Sequence, residues 1–391
     1  MTSRERVHAV FAGQPADRLP VSVLYFPLYQ RDHFAELTGR PPADLWKLLY
    51  AEPEEYLRTF LEMMGKTPFD IYQPETAPPR QERATTEFVE RDGQVFRYDR
   101  ARDLLTPIPQ PVSGHATDYA ANQTQYVFDQ EDVSELVTVA KAEDLIARGV
   151  NDYLDAVVRA VGNREFILSG GVIGTVYSCG EYVGQANVYA MMVEQPGLIE
   201  HLSWRIVEQN IEQIRCLAAA GGDAIYIDDA TATSDVISVA HYERFCLPYL
   251  KEMVREIDAL GHKAILIYFG GIADRLEQIA SVGADALAME TSMKGYVNDL
   301  RGIAERIGDR MALFGNVDPV GVLEKAGDAA LEAEVARQVA AGRSARGFVI
   351  CTGSPITPRT PLSRVQRFIE LSHHLGRADR SPAKQGAEGR R

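Results

Sequence analysis

The 391-residue chain sets 41 Lys and Arg against 55 Asp and Glu, a formal net charge of −14, and 46 % of its residues are hydrophobic. That balance argues against a nucleic-acid scaffold or an anionic membrane surface, both of which draw positive protein surface, though a pocket could still be locally basic. The length suits one large α/β domain or two modest ones with a substantial core. Cys179, Cys216, Cys246 and Cys351 contain no CxxC pair and read as scattered reduced thiols. With no basic-apolar-small leader and no run of membrane-spanning length, a cytoplasmic protein is expected.

A short amphipathic helix is expected over 3–12, followed by a first strand at Val21–Phe26, which is apolar and rich in β-branched and aromatic residues. Residues 28–66 read as helical with breaks at Gly39 and Pro41-Pro42, and Phe69–Tyr72 reads as a second strand. Between the second and third strands the texture changes. Thr85–Val89 and Gln94–Tyr98 flank Arg91-Asp92-Gly93 as a hairpin, and 80–140 as a whole reads as an insertion, with a lid and a homodimer contact both open as uses.

From Lys141 the rhythm is regular. Strands are expected at Phe166–Ser169, Ala224–Ile227, Ala264–Tyr268, Ala286–Met289, Met311–Phe314 and Gly347–Cys351, with helices between them and a last helix after Pro361. Eight near-continuous apolar strands alternating with helices predict a parallel sheet buried on both faces. A closed (β/α)8 TIM barrel over 1–376 is the expectation, with an open doubly wound sheet as the alternative. Residues 377–391 read as a disordered tail.

In such a barrel the C-terminal strand ends carry the chemistry. Those ends are Tyr25, Tyr72 with Glu75, Gly170-Gly171, Asp228-Asp229, Tyr268, Glu290, Asn316 with Asp318, and Cys351 with Ser354. Asp228 and Asp229 are adjacent, so on a strand one faces the pocket and the other faces away. Two carboxyls in one partly apolar cavity would push their pKa values apart, which suits acid/base work. The tyrosines could bind a flat ligand or merely pack. Asn316 and Asp318 sit in a turn where such side chains commonly bind their own backbone. Gly170 and Gly171 would let a ligand approach the chain closely.

Several stretches, in order, resemble the uroporphyrinogen decarboxylase superfamily: Arg4, Gly13 and Asp17-Arg18 with Pro20-Val21; Gly222-Asp223-Ala224; Pro248-Tyr249-Leu250-Lys251; Gly315-Asn316-Val317-Asp318-Pro319; and Thr360-Pro361. The resemblance implies a (β/α)8 barrel and either tetrapyrrole decarboxylation or methyl exchange with a corrinoid protein. The decarboxylase branch is marked by an Arg-Gln-Ala-Gly-Arg run after the first strand; here the equivalent Leu24–Gln30 holds no arginine. A polyanionic porphyrinogen would meet an acidic, tyrosine-rich mouth. The thiol-methylating branch holds zinc with His-x-Cys at the fifth strand and a later Cys. Here Ile267, Phe269 and Ser354 fall at those places, with Cys351 three residues away, so no metal set is expected.

The reading is therefore a methyltransferase-like enzyme that moves a methyl group between a small methylated substrate and a corrinoid carried by a partner protein. Asp229, Glu290 or Tyr268 would be the acid that protonates the leaving group. Substrate contacts would come from Tyr25, Tyr72, Glu75, Asp228, Asn316, Asp318, Gly170 and Gly171. The alternatives are a decarboxylase of uroporphyrinogen or a related carboxylated ligand, and a non-catalytic corrinoid or tetrapyrrole binder.

Overall fold

A computed structural model describes residues 1–91, 94–108, 129–292 and 295–377; the expected tail, apart from Arg377, and the hairpin tip at 92–93 lie outside these. Seven parallel strands form one curled sheet: β1 (Ile71–Tyr72), β5 (Phe166–Ile173), β6 (Ala224–Asp228), β7 (Lys263–Tyr268), β8 (Ala286–Met289), β9 (Ala312–Phe314) and β10 (Phe348–Val349), neighbours in that order. Between β1 and β5 in the chain, a separate antiparallel sheet is built from β2 (Thr86–Arg91), β3 (Gln94–Asp99) and β4 (Leu104–Pro107).

The expected first strand is reduced to a bridge. Val21 pairs in parallel with Ile350 just beyond β10, and its carbonyl accepts from the Asp70 amide just before β1. The two edges of the curled sheet are thereby joined through one stave. The chain leaves the extended path at Tyr25, whose backbone is left-handed (φ 53°), and enters a helix at Phe26–Asp32. Pro27 explains the departure: its missing N–H forfeits a ladder bond yet is tolerated in a first helical turn.

Side chains along the sheet alternate between two cores. Leu24, Ile71, Phe166, Ala224, Ile265, Ile267, Ala286, Ala288, Ala312, Phe314, Val349 and Cys351 fill the space enclosed by the sheet. Ile167, Ile225, Ile227, Leu266, Tyr268, Leu287, Met289 and Leu313 face the helices. The helix Ser3–Phe11, started by a Thr2–Glu5 capping box, closes one end of the lumen. It inserts Val7, Val10 and Phe11 there, with Phe11 edge-on to Phe166 and Phe314 at 5.7 and 6.2 Å.

That end is held by two buried carboxylates. Asp70, 0 % exposed, takes Arg6 Nη1 at 2.6 Å, Arg18 Nη1 at 2.6 Å and Nη2 at 3.0 Å, and the Val21 amide at 2.8 Å. Asp223 takes Arg4 Nε and His8 Nε2, each at 2.7 Å, and the Ile167 amide at 2.9 Å. Gly222 is needed beside it, because a Cβ there would lie 2.2 Å from Ser169 Oγ. The stretches Arg4, Asp17-Arg18 and Gly222-Asp223 that carried the family resemblance thus assemble the closed end, where a barrel keeps its stability rather than its chemistry. Removing one member of a buried ion cluster leaves its partners uncompensated. Asp70→Asn is expected to lower stability by about 3–5 kcal/mol in urea unfolding at neutral pH; a change within error of zero would contradict the clamp.

Candidate active site

The opposite rim is built by strand parity. On β6 the side chains of Ala224 and Tyr226 pack with the lumen cluster and those of Ile225 and Ile227 with the helices. Asp228 therefore falls on the lumen side and Asp229 behind the strand. The contacts agree. Asp228 Oδ2 accepts from the Tyr25 hydroxyl, while Asp229 hydrogen-bonds Tyr268 and feels the buried Arg275 guanidinium. Asp229 and Tyr268 are 1 % and 0 % exposed.

This corrects the sequence expectation for two of the three proposed acids. Tyr268 points away from the lumen, its hydroxyl 2.7 Å from that of Tyr242. The Arg275 guanidinium stacks 5.3 Å from the Tyr242 ring and donates to the Ala232 and Ile237 carbonyls. Asp229 completes this internal ionic layer and cannot meet a substrate in the lumen. Tyr72 is corrected for the same reason: it faces the helices, packs edge-on to Phe26 at 5.3 Å, and its hydroxyl donates to the Thr67 carbonyl at 3.1 Å.

Two groups of polar side chains do gather on the rim. In the first, Tyr25 stacks on Phe269 at 5.6 Å and meets the edge of Tyr226 at 5.9 Å, presenting its hydroxyl to Asp228. Gln73 reaches the Tyr226 hydroxyl. Asp228 Oδ1 is buried and has no hydrogen-bond partner among the described residues. Burial pushes the Asp228 carboxyl up to about 6, with the Tyr25 hydroxyl and the Ala230 amide opposing the rise. Behind the strand, burial and then the neighbouring Asp228 charge push Asp229 up to about 7. In the second group, Glu290 continues the lumen parity of Ala286 and Ala288. Its two oxygens accept from the Tyr296 hydroxyl and, at 3.3 Å, from Ser354 Oγ.

The other expected contacts have structural partners. Asn316 Nδ2 donates to the Asn298 carbonyl at 3.0 Å and the Glu290 carbonyl at 3.4 Å, and its Oδ1 accepts from Gln338 at 2.9 Å; it holds the Glu290 loop. Asp318 caps the following helical turn, accepting from the Val320 and Gly321 amides at 2.9 Å each. Gly170 and Gly171 lie inside β5 at a register irregularity. A Cβ on Gly171 would lie 2.3 Å from the Tyr226 ring, so this glycine makes room for a tyrosine. Below that ring the enclosed space is only about 30 Å3, enough for about one water. That space is too small for a substrate. Glu75 stands at the edge of this rim, half-buried, with burial pushing its carboxyl up to about 7 against the nearby Arg31.

Gln73, Tyr226 and Tyr296 escaped the sequence reading. Tyr226 was hidden inside an apolar run, and Tyr296 lies beyond its strand end in a loop without periodicity. Ile267 and Phe269 stand on the lumen side where the resemblance puts a histidine and a cysteine. Neither offers a metal donor, and among the described residues no group of three or more His, Cys, Asp and Glu is placed to hold a metal ion. The residues present do not fit the zinc site of the thiol-methylating branch.

A curled parallel sheet with its polar side chains gathered on one rim defines a barrel-like α/β protein with the layout of an enzyme. A sequence model of the uroporphyrinogen decarboxylase (URO-D) family matches residues 114–375, and the chain belongs to that family. The uroporphyrinogen decarboxylase of Pseudomonas paraeruginosa (strain DSM 24068 / PA7) is 34 % identical over 190 residues, 48 % of this chain and about half (51 %) of that protein. The protein of the same name from Alkalilimnicola ehrlichii is 26 % identical over 386 residues, 95 % of this chain and 94 % of that one. The solved structure of a methyltransferase from Methanosarcina mazei matches with a TM-score of 0.68 at 20 % identity, covering 96 % of this chain and 99 % of that one; this likeness is one of fold. No helix among the described residues is long and apolar enough to cross a membrane.

The raised Asp228 carboxyl carries a stability signature. Its folded pKa of about 6 exceeds the unfolded value of about 3.9, so its neutral form favours the fold, fully below about pH 4. That contribution is lost as pH rises through 6. Asp228→Asn, which keeps an acceptor for Tyr25, is expected to be more stable than the natural protein by about 3 kcal/mol at pH 8. The gain should shrink toward zero by about pH 4 in chemical unfolding. A gain independent of pH, or a loss at pH 8, would contradict the assignment. Gly171→Ala should displace the Tyr226 ring and cost about 1–3 kcal/mol, read in the same assay.

Proposed function

We propose that the chain is an enzyme that moves a methyl group from a small methylated substrate to a corrinoid carried by a partner protein, with Asp228 as the acid. The observation that carries this reading is the pair on the lumen side of the rim: a carboxyl bound by the Tyr25 hydroxyl through one oxygen, its other oxygen buried and without a hydrogen-bond partner among the described residues. A reduced corrinoid would supply the electron pair that forms the new bond to the methyl carbon. The bond from that carbon to an oxygen or nitrogen breaks, and the leaving heteroatom keeps its electron pair. Asp228 donates a proton to that heteroatom, and Tyr25 donates a hydrogen bond to the carboxylate that remains.

The groups around this acid support a neutral or cationic substrate. Asp228, Glu290 and Glu75 put carboxyls on the rim. The stretch Leu24–Gln30, which in the decarboxylase branch carries the arginines, supplies Tyr25 and Tyr29 instead. Tyr29 is 0 % exposed and so cannot replace a carboxylate-binding arginine. A second reading, decarboxylation of a tetrapyrrole or another carboxylated ligand, draws on the names of the relatives that align along the whole chain. In that reaction the carbon–carbon bond would break with loss of CO2, and Asp228 would protonate the carbon left behind.

The test is incubation with reduced corrinoid and a panel of O- and N-methyl compounds, following cobalt methylation by absorbance, with CO2 release from uroporphyrinogen measured in parallel. Cobalt methylation that falls as pH rises through about 6 is expected. Asp228→Asn should lower it roughly 10²–10⁴-fold, while Asp229→Asn should lower it far less. CO2 release with no cobalt methylation would establish the second reading instead.

A further inference from the structure

The closed end of the barrel, opposite the rim, carries a concavity of its own, of about 410 Å3. It lies where the end of the helix Ser3–Phe11, the start of β10 and the residues after the helix Leu362–Leu375 come together. Val10, Leu19 and Phe348 give it apolar surface, and Arg18, Arg343, Arg346 and Arg377 stand around it. No Asp or Glu is among the described residues that line it, although the formal net charge of the whole chain is −14. A concave, mostly apolar space of this size with a few placed polar groups is the usual form of a small-molecule site.

The guanidiniums are not equally engaged. Arg18 is committed to the Asp70 clamp, and its Nη1 also donates to the Leu19 carbonyl at 2.9 Å. Arg346 donates to the Arg310 and Phe11 carbonyls. Those acceptors are neutral, so they hold the side chain in place and leave its charge uncompensated. Arg377 is placed by its backbone, through an antiparallel bridge to Arg18, and the preceding Gly376 carbonyl accepts from the Leu19 amide at 2.8 Å. Neither Arg346 nor Arg377 forms an ion pair with an Asp or Glu among the described residues. A neighbouring histidine feels the same field. His373 is pushed down to about 4 by burial and then by Arg18, Arg6 and Arg377 acting against Asp70, and its Nε2 is buried with no hydrogen-bond partner among the described residues. The sequence beyond Arg377 brings no net counter-charge: it holds Arg380, Lys384, Arg390 and Arg391 against Asp379 and Glu388.

We infer that this concavity is an anion site, and that its ligand is a small molecule bearing a multiply charged phosphate group bound by Arg346 and Arg377. A guanidinium presents parallel N–H donors that match phosphate oxygens. Two negative charges on one group offset two uncompensated cations, which the single charge of a carboxylate does not. The apolar surface of Leu19 and Phe348 beside them leaves a place for an organic body attached to the phosphate. The site lies at the end of the barrel that carries no rim chemistry, so the inference is independent of the reaction proposed for Asp228.

The test is calorimetric titration of the full chain, at pH 8 and fixed ionic strength, with phenyl phosphate, inorganic phosphate and, as the singly charged counterpart, benzoate. Saturable binding of one phosphate-bearing probe per chain is expected, with benzoate weaker by at least about tenfold. Phenyl phosphate binding more tightly than inorganic phosphate would support an organic phosphate as the ligand; equal affinities would support free phosphate. Arg346→Gln and Arg377→Gln should each weaken the affinity at least about tenfold, whereas Arg301→Gln, an exposed arginine on another helix, should leave it unchanged. Arg377→Gln serves if Arg346→Gln does not fold, because Arg377 is placed by its backbone. No saturable binding of either phosphate probe, benzoate binding as tightly as phenyl phosphate, or an affinity that the folded Arg346 and Arg377 variants leave unmoved would overturn the inference.

Discussion

The parity of one strand governs everything proposed for the site. β6 alternates Ala224, Tyr226 and Asp228 toward the lumen with Ile225 and Ile227 toward the helices. That alternation sends the two adjacent aspartates into different worlds. Asp228 meets Tyr25 on the lumen side of the rim. Asp229 meets Tyr268, Tyr242 and Arg275 in a sealed layer behind the sheet. A register slip of one residue would exchange them. The register is fixed because β6 is paired on both sides, to β5 and β7, and because Asp223 is anchored at the other end of the strand by Arg4, His8 and the Ile167 amide.

The same logic explains how much was legible in the sequence. The strands after Lys141 could be read because each is a short apolar run bounded by glycine or a polar tip, and the observed strands fall within or across those runs. What could not be read was direction. A strand buried on both faces shows no period-two pattern, so nothing in Ala224–Asp229 or in Lys263–Tyr268 reveals which residues turn inward. That is why Tyr268 and Asp229 were expected as acids and Asp228 only as a substrate contact. The expected first strand shows the opposite failure: Val21–Phe26 has strand composition throughout, yet Pro27 and the left-handed Tyr25 convert all but its start into the entry of a helix.

The motifs behind the family resemblance were reliable for the fold and nearly silent on chemistry. Arg4, Asp17-Arg18 and Gly222-Asp223 build the closed end; Asn316 and Asp318 hold a loop and cap a turn. Each has a structural partner: Arg4 and Arg18 pair with the buried Asp223 and Asp70, and Asp318 Oδ1 takes two amides of the turn it caps. The rim side chains that do face the lumen, Tyr25, Tyr226, Asp228 and Glu290, carry no motif that spacing alone could flag. Family membership fixes the scaffold, and the chemistry on it is set by these few residues.

A direct measurement of the central claim is the protonation of Asp228 itself. Carboxyl infrared difference spectra of the natural protein against Asp228→Asn, taken across a pH series, isolate this one group. The account predicts a band assigned to Asp228 that passes from acid to carboxylate with a midpoint near 6 and that shifts when Tyr25→Phe removes its hydrogen-bond donor. A midpoint near 4, the ordinary carboxyl value, or a band indifferent to Tyr25, would contradict it.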